Sequence, residues 1–170
     1  QGSGDTEAGA YTLLGGTPTP SNGLSITRNS GALWFLTSED EWYKAAYHKN
    51  DGPTGNYFDY PTSSDTAPVD EAPPGGSNSA NYDLAVFDLT DGGAYTASES
   101  PYGTFDQGGN AWEWNEALIS GVAAAARNNN IPACQSSIFG FRVATVPEPS
   151  TLLLAVLGMI GLLRCRCRRT

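Results

Sequence analysis

The sequence predicts an α+β domain low in regular secondary structure, followed by a short apolar helix at the C terminus. Three observations predict it. Gly and Pro supply 20 and 11 of the 170 residues, so turns and loops dominate. Residues 37–48 carry the spacing and end signals of a helix. Residues 110–116 and 138–144 carry the alternation and the aromatic and β-branched content of strands. Charged residues make up 16%, far below what a coiled coil or helical bundle requires. A chain of this length holds one compact domain.

The elements follow in order. Short apolar runs broken by Gly, Pro and Asn read as strands near 10–14, 24–28 and 32–36. In the helix, Ser38 is the N-cap and Glu41 its capping-box partner. Glu39, Asp40 and Glu41 fill the first turn, where the helix dipole favours negative charge. Trp42, Ala45 and Ala46 share one face, and Asp51-Gly52-Pro53 ends the helix. Residues 50–104 read as loop, and a loop that long is expected to be functional or held by an ion. In NAWEWNE, Trp112 and Trp114 fall on one face of a half-buried strand, with Ala111, Glu113 and Asn115 on the other. IFGFRVA (138–144) is a further strand, with Gly140 where backbone approaches closely. Trp34, Trp42, Trp112 and Trp114, with Tyr57, Phe58 and Tyr60, read mostly as core; an exposed member would offer a stacking platform to a sugar ring. His48, the one histidine, sits at the helix end with no carboxylate fixed by spacing, and a helix C terminus favours its cation on electrostatic grounds alone.

Charge and cysteine usage exclude several classes. The net charge is -9, and four of the nine cations (Arg164, Arg166, Arg168, Arg169) lie in the last seven residues. The remaining 163 residues carry five cations against 18 acids, which repels phosphate backbones and speaks against nucleic-acid binding. Cys134 alone lies in the body, while Cys165 and Cys167 lie in the basic tail. A zinc site built on cysteine pairs is excluded, as is a disulfide within the body. No nucleophile elbow or glycosidase carboxylate pair is recognisable. The first residue is Gln and no apolar leader follows, so the natural start is expected to lie upstream or to have been processed away.

The C-terminal segment has a different character. After VPEPST comes an apolar run, LLLAVLGMIGLL (152–163), and then RCRCRR. Twelve residues fall short of the roughly 20 that span a bilayer, and the arginines supply a positive anchor. The order of Val146-Pro147-Glu148-Pro149, apolar run and basic end resembles a PEP-CTERM sorting signal. That resemblance implies export through the inner membrane of a Gram-negative-type bacterium and transient anchoring by the apolar helix. Cleavage by an exosortase near the Pro-Glu-Pro motif then releases a cell-surface or extracellular product.

The body, residues 1–145, is similar to the formylglycine-generating enzyme (sulfatase-modifying factor) family. The likeness rests on FLTSEDEWYKAAY (35–47), YGTFDQGGNAWEWNE (102–116) and RNNNIPACQSSIFGFRVA (127–144), in that order. It implies a C-type-lectin-like fold with long loops held by calcium. Asp106, Gly109, Ala111 and Glu113 match the family's positions at one calcium site, Gly109 and Ala111 through their carbonyls. Asn81 and Tyr82 match the start of a second, whose remaining ligands come from 83–91, with Asp88 the choice. Calcium is a hard cation that takes oxygen ligands; the plain alternative is that these acids are solvated loop charges.

One feature of the family pattern is absent. Active members carry an Arg-Gly-Gly-Ser segment and a cysteine pair between Trp-Glu-Trp and Gly-Phe-Arg, and the pair binds copper to oxidise a substrate cysteine. Here the interval is NEALISGVAAAA (115–126), without cysteine. Soft Cu(I) requires soft ligands such as thiolates, so copper is not expected and no catalytic residue is assigned. The body reads as an internally shortened, N-terminally truncated and incomplete copy of the fold. Its expected role is that of an exported, non-catalytic binding or structural module for a glycan or protein ligand. The alternatives are an oxidoreductase of the formylglycine-generating type acting on protein cysteine, for instance through Cys134, and a copy that folds poorly.

Overall fold

The computed structural model describes residues 9–15, 20–22, 25–116 and 137–145. They form six short strands and one helix: β1 (Trp34–Leu36), α1 (Glu39–Tyr47), β2 (Val69–Asp70), β3 (Ser79–Ala80), β4 (Trp112–Trp114), β5 (Phe139–Phe141) and β6 (Val143–Thr145). The strands make three separate pairs. β1 runs antiparallel to β6, with Phe35 opposite Ala144; β2 runs parallel to β3, and β4 parallel to β5, with Glu113 opposite Gly140. The expected poverty in regular structure holds.

Helix α1 forms as its end signals dictate. The Ser38 hydroxyl accepts from Glu41 N at 3.1 Å and the Glu41 carboxylate accepts from Ser38 N at 2.8 Å, closing the capping box. Ala46 is fully buried on the inner face. The C-cap is His48, at the helix end where the sequence places it. It is 2% exposed. Asn50 N donates to Nδ1 at 3.0 Å, so Nδ1 is an acceptor and Nε2 carries the proton toward the Thr54 carbonyl at 3.1 Å. Tyr102 Oη lies 2.9 Å from Nδ1, and the Tyr57 ring stacks edge-on. The imidazole is a structural plug tying α1 to the loops after it.

The strand expected over 138–144 is split at Arg142. Its first half pairs with β4 and its second with β1. Thr37, just after β1, bridges the two pairs: its N–H donates to the Arg142 carbonyl at 3.4 Å, and its carbonyl accepts from Glu116 N at 2.9 Å. Of the strands expected at 10–14 and 24–28, the described residues form a single bridge, Tyr11 to Arg28. Within 50–104 the two-residue strands β2 and β3 were not anticipated. The rest of that stretch is pinned by polar side chains on backbone groups. Asn78 Nδ2 donates to the Thr66 and Ala67 carbonyls, and Ser98 Oγ accepts from Ser79 N, the usual work of Asn and Ser in loops.

The core is small. Ala32, Phe35, Ala46, Ala80 and Tyr95 are buried. The aromatics expected in the core divide. Trp34 is 59% exposed and Trp112 and Tyr57 stand at the surface, whereas Trp42 reaches inward. Two-strand ribbons cannot cover large rings on both faces, so these side chains stay at the rim.

Candidate functional site

The structure brings the three motif segments together on one carboxylate. Glu113, in the middle of β4, accepts from Trp42 Nε1 at 2.7 Å and from Arg142 Nε at 2.7 Å, both at Oε2. Trp42 belongs to α1, Glu113 to the Trp-Glu-Trp strand and Arg142 to the junction of β5 and β6. Arg142 Nη2 also donates to the Phe105 carbonyl at 2.5 Å. The Glu113 and Arg142 side chains are 14% and 23% exposed, so the pair is held largely out of water. The alternation that places Trp112 and Trp114 on one face places Glu113 on the other, aimed at the helix. Arg142 is the functional residue that sequence reasoning left without a role; its signal was the charge embedded between two apolar strand halves.

Next to this node lies an open cleft of about 400 Å³. Asp106, Ala111 and Glu113 line it together with Phe105, Phe141 and Arg142. Three of the four residues expected at the first calcium site thus share one cleft. Asp106 takes a left-handed backbone (φ +57°), and its Oδ2 accepts from Gly93 N at 2.6 Å. Gly109 does not line the cleft. It has φ +99°, and a Cβ there would strike the Asn81 carbonyl.

The second group gathers around a residue that the sequence reading did not single out. Asn110 N donates to the Asn81 carbonyl at 2.7 Å, and Asn110 Oδ1 accepts from Asn81 Nδ2 and Thr90 N at 3.2 and 2.8 Å. Asn81, buried, also donates to the Asp88 carbonyl at 2.8 Å. Asp88 turns its own Oδ1 to Leu89 N, and Tyr82 Oη donates to the Pro68 carbonyl. Asn81 therefore meets the Asp88 carbonyl and packs closely against Gly109, while Tyr82 anchors the loop elsewhere.

Calcium takes six to eight oxygens. Among the described residues no group of three or more His, Cys, Asp and Glu side chains is placed to hold a metal. The cleft offers two carboxylates of suitable hard chemistry, but Glu113 already has a guanidinium as counter-ion. A divalent cation there would share this carboxylate with a fixed guanidinium 2.7 Å from Oε2. As arranged, the donors do not fit a dedicated calcium cage.

A second ion cluster braces the other side of β1. Arg28 pairs with Glu116 at 2.7 Å and Glu41 at 2.9 Å, and its guanidinium lies 3.4 Å over the Phe35 ring. The hydrogen bonds to Glu116 and then Glu41 hold Arg28 more firmly protonated than usual. Arg28 in turn keeps the Glu41 carboxyl below its ordinary range. Tyr11 donates to Glu116 at 2.5 Å, and burial together with that bond pushes its hydroxyl up to about 12.

Cys134 and the segment with Val146, Pro147, Glu148 and Pro149 lie outside the described residues, as do the apolar run 152–163, Cys165 and Cys167. Among the described residues no helix is long and apolar enough to cross a membrane. The chain ends in a C-terminal protein-sorting signal. Residues 145–169 match the family model for the PEP-CTERM protein-sorting motif, which marks an export substrate of exosortase machinery that sorts by way of the membrane. The match begins at Thr145, the last residue of β6. No curated protein and no solved structure matches the chain.

Proposed function

We propose that residues 1–145 form an exported, non-catalytic binding or structural module of the formylglycine-generating-enzyme-like kind. The exosortase would deliver it by cutting near Pro147-Glu148-Pro149. The observation that carries the reading is the convergence of Trp42, Glu113 and Arg142, one from each motif segment, on a single carboxylate oxygen. Segments that resemble a family by sequence alone have no reason to meet in space. Their meeting supports a shared architecture, C-type-lectin-like in kind. In this reading the node is the brace that the resemblance would otherwise assign to calcium at Asp106, Gly109, Ala111 and Glu113. The non-catalytic part rests on the sequence. The body has one thiol, and a two-thiolate copper site needs two.

The sorting signal starts where β6 ends, so a cut at the Pro-Glu-Pro motif leaves the β1–β6 pair on the released product. The test is incubation of the purified protein with copper, oxygen and a cysteine-containing sulfatase peptide. No aldehyde is expected. Aldehyde formation that disappears on Cys134→Ser would overturn the non-catalytic reading and favour an oxidoreductase acting on protein cysteine.

A further inference from the structure

The cleft beside the Glu113 node carries a more specific assignment. We infer that it is a saccharide-binding site, with the Phe141 ring as the stacking platform and Asp106, Glu113 and Arg142 as the groups that hold sugar hydroxyls. This deepens the binding-module reading and rests on it.

Asp106 uses Oδ2 on Gly93 N, and Glu113 uses Oε2 on Trp42 and Arg142. Asp106 Oδ1 and Glu113 Oε1 accept no hydrogen bond from another described residue, and Arg142 Nη1 donates none to one. Among the described residues the cleft therefore offers two fixed acceptors and one fixed donor, each locked by a neighbour. Such groups are pre-organised to pair with vicinal hydroxyls, which both donate and accept. Phe141 lines the same cleft and is 63% exposed. An exposed ring on the lip of a polar cleft suits the apolar C–H face of a pyranose.

Charge narrows the class. Two carboxylates and a net charge of -9 repel phosphates and other anions. The guanidinium of Arg142 repels an ammonium at the same place. A lipid would need an enclosed apolar wall, and this cleft is open with charged walls. A neutral polyhydroxylated ring meets none of these objections. The volume of about 400 Å³ is in the ordinary range for small-molecule sites, and the open form lets a longer chain run past.

The experiment is isothermal titration calorimetry of the full-length chain with four neutral hexasaccharides of different linkage: maltohexaose, cellohexaose, chitohexaose and mannohexaose. Spermidine and inorganic phosphate serve as the cationic and anionic comparisons. At least one hexasaccharide is expected to bind. Phe141→Ala should weaken it about tenfold, the scale of losing one aromatic anchor, and Phe141→Trp should retain it. Asp106→Asn removes the charge yet keeps a residue type that tolerates positive φ. It should also weaken binding, and it keeps the test intact if Phe141→Ala does not fold. The assignment fails if no hexasaccharide binds, if binding ignores both variants, or if spermidine or phosphate binds in a Phe141- and Asp106-dependent way. The aldehyde assay is independent, so a failure of the saccharide assignment is distinguishable from a failure of the module reading.

Discussion

Replacing Arg142 with Met removes the one cation at the Glu113 node while keeping most of the side-chain length. Two hydrogen bonds are lost, Nε to Glu113 Oε2 at 2.7 Å and Nη2 to the Phe105 carbonyl at 2.5 Å. The Glu113 carboxylate then keeps only the Trp42 indole. Breaking a fully buried pair by removing one partner costs about 3–5 kcal/mol, whereas a fully exposed pair contributes about 0–1 kcal/mol. At 14% and 23% exposure, this pair lies nearer the buried end, and we expect a loss of ~2–3 kcal/mol. With a urea slope of about 2 kcal/mol/M, that moves the unfolding midpoint down by about 1–1.5 M. Urea unfolding followed by tryptophan fluorescence measures it. The double variant with Glu113→Gln isolates the coupling, which should be about 1–2 kcal/mol. A loss under about 0.5 kcal/mol, or no coupling, would refute the claim that this node holds the three segments together.

Other outcomes follow from the same geometry. Ser38→Ala should cost about 1 kcal/mol by opening the capping box, read as a lower urea midpoint; no change would mean that α1 is held by packing alone. Gly109→Ala places a methyl group against the Asn81 carbonyl at a left-handed φ. It should destabilise by more than about 2 kcal/mol, with thermal melting as the check. Tyr11 has a raised folded pKa of about 12 against an ordinary 10. Its contribution is therefore fully present below pH 10 and lost as pH rises through about 12. Alkaline titration by ultraviolet absorbance should show one fewer late-ionising tyrosine in Tyr11→Phe. Adding a calcium chelator should leave the melting temperature unchanged, and a large rise on adding calcium would restore the ion to Asp106 and Glu113.

The local features were legible because their causes are local. Ser38 and Glu41 lie three residues apart, and the capping box they predict is the one that forms. The alternation in NAWEWNE set Glu113 opposite the tryptophans, which is why it reaches α1. Non-local pairing was not legible. Nothing in IFGFRVA says that it changes partners at Arg142, because the choice depends on where β1 and β4 lie in space. His48 was legible only as a helix-end residue, since no spacing rule connects it to Tyr57 and Tyr102. The acid-rich loops read as ion ligands only through the family resemblance, with solvated loop charges as the plain alternative. Their geometry shows amides and carbonyls satisfying one another around Asn110, a residue whose type alone signals only a turn. At the C terminus the order of Pro-Glu-Pro, apolar run and arginines was readable outright, because a sorting signal is recognised as a linear segment.

The most direct test of the whole account is the intact mass of the protein recovered from an exosortase-bearing host, with and without replacement of Pro147, Glu148 and Pro149 by Ala. The account predicts an exported product that ends near 147–149 and still binds its ligand through the cleft, and retention of the full-length form when the motif is replaced. A product that keeps Arg164 to Thr170 in both cases and never leaves the cytoplasm would contradict it.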